Sequence, residues 1–377
     1  MNERERYIDT LSFKATDKKP FMPGHPRKST LKTWYSQGLP QNTDHYKYLC
    51  EKLGIYMEPP KVEVVDSGVR FKMMPEFEEK VLEHKSGHYI VQDWMGAIVE
   101  ISDEFDPTYL RKPVDFVTRR WIKCPVENRA DWEKMKKRYH PNTEGRYPDD
   151  FKERCKILRE RDYVSGIQIN GPFWQLREWL GFEGLCMMLI DDPEFISDMV
   201  DFWKDFVSDN LKPLLEKNIL DYVGINEDMA YKAHPMISPD MSRKFLKPSY
   251  SLWVKEIKES GCPIVDMDSD GFIEDLIPVW IESGINVCDP IEVAAGCDIN
   301  KFRERFGKKM AYVGGVDKRC MAKGGEIIER EIERITPAVK KGGYIPGCDH
   351  GVPPDVSWPD FVYYSELLAQ ACGWLTN

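Results

Sequence analysis

The sequence lacks the features that mark several classes of protein. It has no cysteines spaced C-x-x-C, no basic run interleaved with aromatics, and no G-x-G-x-x-G after a candidate strand. No apolar stretch approaches the roughly 20 residues that a membrane-spanning helix needs. These absences argue against zinc ribbons, thioredoxin-like redox proteins, nucleic-acid-binding proteins, Rossmann dehydrogenases and membrane proteins.

What is present is typical of one large soluble enzyme. The chain has 377 residues, of which 42% are hydrophobic and 31% charged, with a formal net charge of -10. This length is within the range of a single decorated α/β barrel. Ten cysteines are scattered singly, and the charged start has no apolar run. Both features predict a reducing, cytoplasmic location.

From Asp162 onward, short apolar runs alternate with longer amphipathic ones. The strand candidates are Tyr163–Ile169, Asp221–Ile225, Pro263–Val265, Ile285–Cys288, Met310–Val313 and Gly343–Ile345. A helical pattern follows each of them, which predicts parallel βαβ units. Six such strands, with room for two more upstream, predict an α/β fold of the (β/α)8 TIM-barrel type. An open doubly wound sheet is the alternative.

The first 150 residues are less regular. Helical patterns cover Glu3–Lys14, Leu31–Gly38, His45–Leu53 and Asp131–Tyr139, and a short strand is predicted over Pro20–His25. Alternation between Val69 and Ile101 predicts antiparallel strands or a hairpin. We expect one domain over 1–377, in which 1–150 supplies upstream barrel strands and a cap and 160–373 the regular units.

In a barrel, the residues that follow the strands converge on one mouth. Here these segments begin at Asn170, Asn226, Asp266, Asp289, Gly314 and Pro346, and nearly all carry carboxylates. Such a cluster is typical of a metal site or of acid–base catalysis, although a single Asp is also a common helix N-cap. Asp266-x-Asp268-x-Asp270 resembles a calcium loop, but Ile277 replaces its twelfth-position Glu.

Other side chains complete the candidate site. His25 and Arg27 are predicted to hold an anionic group, and aromatic side chains to wall a flat ligand. The alternatives are a solvated loop for the cations and a plain core role for the aromatics. The predicted substrate-binding residues are His25, Arg27, Trp34, Asn170, Phe173, Trp174 and Asp317.

The segment Gly342–Pro354 resembles the C-terminal signature of the uroporphyrinogen decarboxylase superfamily. Gly314–Asp317 resembles the segment before its penultimate barrel helix, and Glu227–Ala230 its mid-barrel acidic loop. The likeness covers roughly residues 160 to 373, with a weaker match around Pro20–Pro40. It implies a TIM barrel with the active site at the mouth.

The superfamily has two relevant branches. The decarboxylases use no cofactor and carry paired arginines in an N-terminal loop, which His25–Thr30 lacks. The corrinoid-dependent methyltransferases bind zinc through His-x-Cys and a late Cys, and here Asp266-x-Asp268 takes the place of the first pair. The resemblance thus implies metal ligands among Asp266, Asp268, Glu227, Cys348 and His350.

Oxygen and imidazole ligands keep zinc a hard Lewis acid, which favours an ether or alkoxide oxygen. The resemblance therefore implies a zinc-dependent methyltransferase that moves a methyl group from a methoxy compound to the Co(I) corrinoid of a partner protein. The catalytic candidates are Glu227, Asp228, Asp270 and Lys232. The alternatives are a cofactor-free decarboxylase and a non-catalytic barrel that binds a corrinoid protein; a homodimer is possible.

Overall fold

A computed structural model describes residues 1–111 and 117–376, without the side chain of Tyr109. The chain begins with three nine-residue helices. Asn2 caps the first one, and Asp44 and Gly54 bound the third through an N-cap hydrogen bond and a left-handed C-terminal residue. Their bounds are α1 Glu3–Leu11, α2 Lys28–Ser36 and α3 His45–Leu53.

A four-stranded antiparallel sheet follows, in the order β1-β2-β3-β4. Alternate residues of β3, such as Val99 and Ile101, are buried against a small apolar cluster, as expected for a sheet with one covered face. The strands are β1 Lys80–Lys85, β2 His88–Gln92, β3 Ile98–Ser102 and β4 Arg119–Lys123, and two helices come next, α4 Arg129–Lys136 and α5 Phe151–Arg159.

The rest of the chain is a succession of βα units. Caps define several helix starts; for example, Asp192 accepts a hydrogen bond from Phe195 N, and Pro193 occupies the first turn. The elements are β5 Gly166–Asn170, α6 Pro172–Asp191, α7 Pro193–Leu215, β6 Tyr222–Asn226, α8 Pro239–Met241, α9 Lys247–Glu259, β7 Ile264–Asp268, α10 Ile277–Ser283, β8 Val287–Asp289, α11 Ile299–Phe306, β9 Ala311–Val316, α12 Lys318–Met321, α13 Gly325–Lys341, β10 Tyr344–Cys348 and α14 Trp358–Ala371.

The six strands β5 to β10 pair in parallel and in consecutive chain order. A doubly wound sheet would reverse its strand order at a switch point, which is absent from this ladder. The predicted TIM-barrel fold is therefore confirmed, and the doubly wound alternative is wrong. The predicted helices and the six predicted strands are all present, with shifts of a few residues at their ends.

The predicted strand over Pro20–His25 is an extended segment beside β10. Cys348 N donates to Pro23 O at 3.3 Å, and Pro26 forms a parallel bridge with Val352. This segment, Pro20–Pro26, thus takes a strand's place in the barrel wall without a regular ladder. Within the described ranges, no strand ladder joins it to β5 on the far side.

Helix α1 closes the floor of the barrel. Leu11 packs with Ile264, Val287, Ala311 and Ile345 at the amino ends of β7 to β10. Because side chains alternate along a strand, this contact shows that Asp266 and Asp268, two and four residues after Ile264, also face the barrel interior.

The antiparallel prediction for the N-terminal part is confirmed between β2 and β3, but Val69 to Met73 is not a strand. Its backbone instead pairs irregularly; Arg70 N donates to Arg146 O at 3.0 Å. In the described part of the chain, no helix combines the length and the apolar character that crossing a membrane requires.

Candidate active site

Four polar residues form a row across the mouth of the barrel. Asn170, Asn226, Asp268 and Asp289 are register partners at the carboxyl ends of β5 to β8. Neighbouring strands lie about 4.8 Å apart, so the row brings four side chains of adjacent strands together. The prediction that the strand ends converge is confirmed for this row. The row also includes Asp289, which is not among the predicted site residues.

A second carboxyl group lies one layer below the row. Asp266 is 5% exposed and faces Asp289 within hydrogen-bonding reach. Neither Asp266 Oδ1 nor Asp289 Oδ1 receives a hydrogen bond from any described group. Burial, and then the charge of the neighbouring carboxylates, raises the pKa of both. The raised pKa values favour one proton on the pair over two negative charges side by side.

The environment of Asp268 favours the neutral form of its carboxyl group. Burial first, and then the nearby Asp289, Asp270 and Asp228, raise its pKa to about 8. A perturbed carboxyl group in a cleft is a common feature of active sites. Asp266, Asp268 and Asp289 together form the carboxyl cluster of this barrel.

Side chains of α1 close the barrel beneath this cluster. Tyr7 of α1 packs against Tyr222 with ring centroids 6.0 Å apart. The pKa of Tyr7 is raised well above its usual value, by burial and then by the charge of Asp266. The phenol of Tyr7 is therefore a neutral hydroxyl group near the buried end of the carboxyl cluster. Sequence reasoning missed it because α1 precedes the βα units by over a hundred residues.

The loop after β10 meets the loop after β7 at the mouth. His350 Nε2 lies 3.3 Å from Asp270 Oδ2, and this contact raises the pKa of His350 against the opposing effect of burial. Gly351 N donates to His350 Nδ1 at 2.7 Å, so the neutral ring carries its proton on Nε2 and donates to Asp270. Both residues are predicted site residues, and the structure brings them together.

Asp228 stands at the mouth in a strained conformation. Its φ of 39° is unusual for a residue other than glycine. Arg177 holds it, with Nη1 donating to Asp228 O at 2.9 Å and Nη2 to Asp228 Oδ2 at 3.1 Å. Strain of this kind clusters at functional sites. Arg177 was missed because its side of α6 cannot be read from the sequence.

Glu227 is fully buried behind the mouth. It accepts a hydrogen bond from Trp174 N at 2.8 Å and a short one from the hydroxyl of Tyr250. Burial raises its pKa to about 7, although these hydrogen bonds act against the rise. Both oxygens are thus engaged in joining α6 to α9. This arrangement is that of a positioning residue, and its predicted catalytic and metal-binding roles stay predictions.

Cations at the far side of the mouth are paired with carboxylates. Lys318 Nζ lies 3.5 Å from Glu292 and 3.7 Å from the buried Asp349. Asp349 also accepts from Val293 N at 3.0 Å, which ties the ends of β8, β9 and β10 together. Lys318, Glu292 and Asp349 all follow predicted strands, but none of them is among the predicted site residues.

Two predicted ligand-contacting residues have polar partners near the mouth. Asn170 Nδ2 donates to Gln175 and Glu178, at 3.1 and 3.3 Å. Trp174 Nε1 donates to Glu178 at 2.8 Å, and the guanidinium of Arg177 lies 4.5 Å from the Trp174 ring. Trp174 is only half-buried, so its ring is available to a ligand.

Several predicted substrate-binding residues lie elsewhere, and those predictions are corrected. Trp34 is 0% exposed and packs on Trp358 and Phe361, and Phe173 is also a core residue. An apolar pattern identifies such aromatics as buried but does not tell a core from a cleft. Asp317 caps α12 and pairs with Arg319 at 2.7 Å, as an N-cap Asp does.

The N-terminal candidates have mixed positions. His25 is exposed near the mouth, and Arg27 packs its side chain over Gly351, next to His350. Lys232 is exposed in the loop after β6 and stays a prediction.

The predicted zinc ligands do not form a metal site as they stand. Among the described side chains, no three of His, Cys, Asp and Glu are grouped so that they could hold a metal ion. Cys348 is 8% exposed, and burial raises the pKa of its thiol to about 12. Glu227 is engaged elsewhere, so only Asp266, Asp268 and His350 remain near the mouth.

Comparisons with known proteins agree with this architecture. Residues 114–361 match the family model described as uroporphyrinogen decarboxylase (URO-D). A uroporphyrinogen decarboxylase from Pseudomonas fluorescens is 23% identical over 202 residues, which are 51% of this chain and 55% of that protein. The chain therefore matches about half the length of this curated relative. A second, from Pseudomonas savastanoi pv. phaseolicola, is 30% identical over 80 residues, 21% of this chain and 23% of that protein.

A solved structure of a methyltransferase matches nearly the whole chain. The methyltransferase from Methanosarcina mazei has a TM-score of 0.57 and 14% sequence identity, and the match covers 98% of each chain. At this identity the likeness establishes a shared fold.

Proposed function

Because this chain belongs to the uroporphyrinogen decarboxylase family, we propose that it is an enzyme of that family which transfers a methyl group from the oxygen of a methoxy compound to the Co(I) corrinoid of a partner protein. The acidic character of the mouth carries the proposal. Asp228, Asp268, Asp270 and Asp289 surround one opening, and Arg177 beside it is already paired.

This electrostatic character favours an uncharged substrate. A porphyrinogen with many carboxylates would meet the carboxylates of Asp228 and Asp270 here, and such contacts are unfavourable unless cations offset them. The cations Arg177 and Lys318 are occupied by Asp228, Glu292 and Asp349. A neutral ether avoids this repulsion and needs only a proton donor for its leaving oxygen.

The shared proton of Asp266 and Asp289 is suited to that role. In the proposed step the C–O bond to the methyl group breaks, and its electron pair stays on the oxygen. The Asp289 carboxyl group, at the row, protonates that oxygen, and the product is an alcohol or phenol. The corrinoid supplies the nucleophile that accepts the methyl group. His350 and Asp270, at 3.3 Å, orient the substrate oxygen.

The zinc ion implied by the family resemblance is a separate part of the proposal. Zinc content of protein purified without added metal, compared with His350→Ala, tests it. About one zinc ion per chain, lost in the variant, would support a mouth site. Protein that is metal-free and fully active would contradict it.

The reaction itself is tested by product analysis. The protein is incubated with methoxyarenes and with aryl carboxylates, in the presence and absence of cob(I)alamin, and products are identified by mass spectrometry. Loss of the ether methyl group only when cob(I)alamin is present supports the proposal. Loss of carbon dioxide without cob(I)alamin would favour the decarboxylase. Inertness on both substrate classes, combined with tight binding of a corrinoid protein, would favour the non-catalytic barrel.

The remaining parts of the proposal concern the setting of the enzyme. All ten cysteines are free, which is consistent with the proposed cytoplasmic location. Gel filtration with light scattering tests the proposed homodimer, which a monomer at working concentration would contradict.

A further inference from the structure

A cavity of about 410 Å³ opens beside the mouth, in the barrel wall. It lies between the Pro20–Pro26 segment and the start of β5, which no strand ladder joins among the described residues. The missing ladder leaves space between the two walls. The side chains and backbone that enclose it include Phe21, Pro23, Val164, Val313, Gly314 and Gly347.

The walls of this cavity are apolar and partly flat. Gly314 and Gly347 present bare backbone, and a Cβ at Gly347 would come within 2.4 Å of Met22 O. Polar side chains stand at the ends: His350 and His25 at the mouth, and Glu3 and Arg6 near the floor. The guanidinium of Arg6 is already held by Asp17 at 2.8 Å. The apolar middle of the cavity offers no partner to a charged ligand body, which would lose its hydration there.

We propose that this cavity binds the non-reacting part of the methyl donor, and that this part is a flat, uncharged ring. The inference rests on the proposed function and names its substrate class, a neutral methoxyarene. The cavity volume is in the range of small-molecule sites, roughly 300–1,000 Å³, and its apolar walls suit an aromatic ring. His350 lines the mouth end of the cavity and lies 3.3 Å from Asp270 Oδ2, so the cavity adjoins the pair that we propose to orient the substrate oxygen.

Binding can be measured without the reaction. Isothermal titration calorimetry uses two neutral probes, anisole and ethylbenzene, and one charged probe, benzoate. Ethylbenzene has no ether oxygen, so its binding does not depend on methyl transfer. Val313→Trp and Val164→Trp fill the cavity from two walls. Val64→Trp is the matched control, since Val64 is 65% exposed and does not line the cavity.

We expect the native chain and Val64→Trp to bind both neutral probes equally well, and benzoate at least tenfold more weakly. Both cavity variants should bind the neutral probes at least tenfold more weakly. Circular dichroism identifies which variants are folded, and only folded variants are compared. Absence of neutral-probe binding to the native chain, or unchanged binding in a folded cavity variant, would overturn the assignment.

The outcomes for the cavity and for the reaction are distinguishable. If ethylbenzene binds, if filling the cavity weakens that binding, and if no methyl transfer occurs, the cavity assignment is supported and the proposed function is contradicted. Methyl transfer from anisole with an unchanged KM in a folded Val313→Trp protein supports the function and contradicts the cavity assignment.

Discussion

His350 Nε2 lies 3.3 Å from Asp270 Oδ2, so the loop after β10 and the loop after β7 meet across the mouth of the barrel. The hydrogen bond with Asp270 raises the pKa of His350, and burial partly opposes it. We expect Asp270→Asn to lower the pKa of His350, because the negative partner is lost. NMR titration of the 15N-labelled imidazole rings measures this. Asp275→Asn, an exposed control, should leave the pKa unchanged; an unchanged pKa in Asp270→Asn would show that the pair does not form in solution.

The neutral state of Asp268 has a consequence for stability. Its folded pKa, about 8, lies above the usual value of 3.8, so the folded state binds the proton more tightly than the unfolded state. Its contribution is fully present below about pH 4 and is lost as the pH rises through 8. In Asp268→Asn this loss should disappear, and the variant should become the more stable protein at pH 9. Chemical denaturation from pH 5 to 9 measures it; parallel curves for both proteins would contradict the neutral assignment.

Arg177 holds the strained backbone of Asp228 through two hydrogen bonds. We expect Arg177→Met to lower the rate of methyl transfer by about ten- to a hundredfold, because a relaxed Asp228 misplaces a mouth carboxylate. Stability should fall little, since a partly exposed ion pair contributes only about 1 kcal/mol or less. Steady-state kinetics and thermal unfolding are compared with Arg243→Met, which removes a surface pair with Glu282. Equal kinetics in both variants would rule out a positioning role for Arg177.

The hydroxyl of Tyr250 donates to the buried Glu227. Tyr250→Phe leaves that carboxyl group with one donor fewer, and we expect a loss of about 1–3 kcal/mol in the free energy of unfolding. Tyr363→Phe is a matched control, because the hydroxyl of Tyr363 donates to Glu329 at the surface, where water replaces it. Urea denaturation measures both. A loss in Tyr250→Phe no larger than in Tyr363→Phe would mean that Glu227 finds another donor.

The barrel part of the fold could be predicted because its strands and helices alternate with clear periods. The positions of Asp268 and His350 followed from the rule that strand ends share one mouth. Contacts that depend on helix orientation could not be predicted: Tyr7 reaches the barrel floor from α1, and Arg177 reaches Asp228 from α6. Trp34 was wrongly predicted to contact the substrate, because an amphipathic pattern identifies the buried face of a helix but not what covers that face. The cavity exists because no regular strand ladder fills the space beside Pro20–Pro26. The sequence of this segment predicts a strand, so the cavity could not be predicted.

The most direct test follows the methyl carbon itself. Anisole labelled with 13C in its methoxy group is incubated with the protein and cob(I)alamin, and 13C NMR identifies the labelled product. We expect the label to move to the corrinoid, phenol to be released, and Asp289→Asn to slow the transfer by about a hundredfold or more. Label that stays on anisole, with active decarboxylation of an aryl carboxylate by the same preparation, would contradict it.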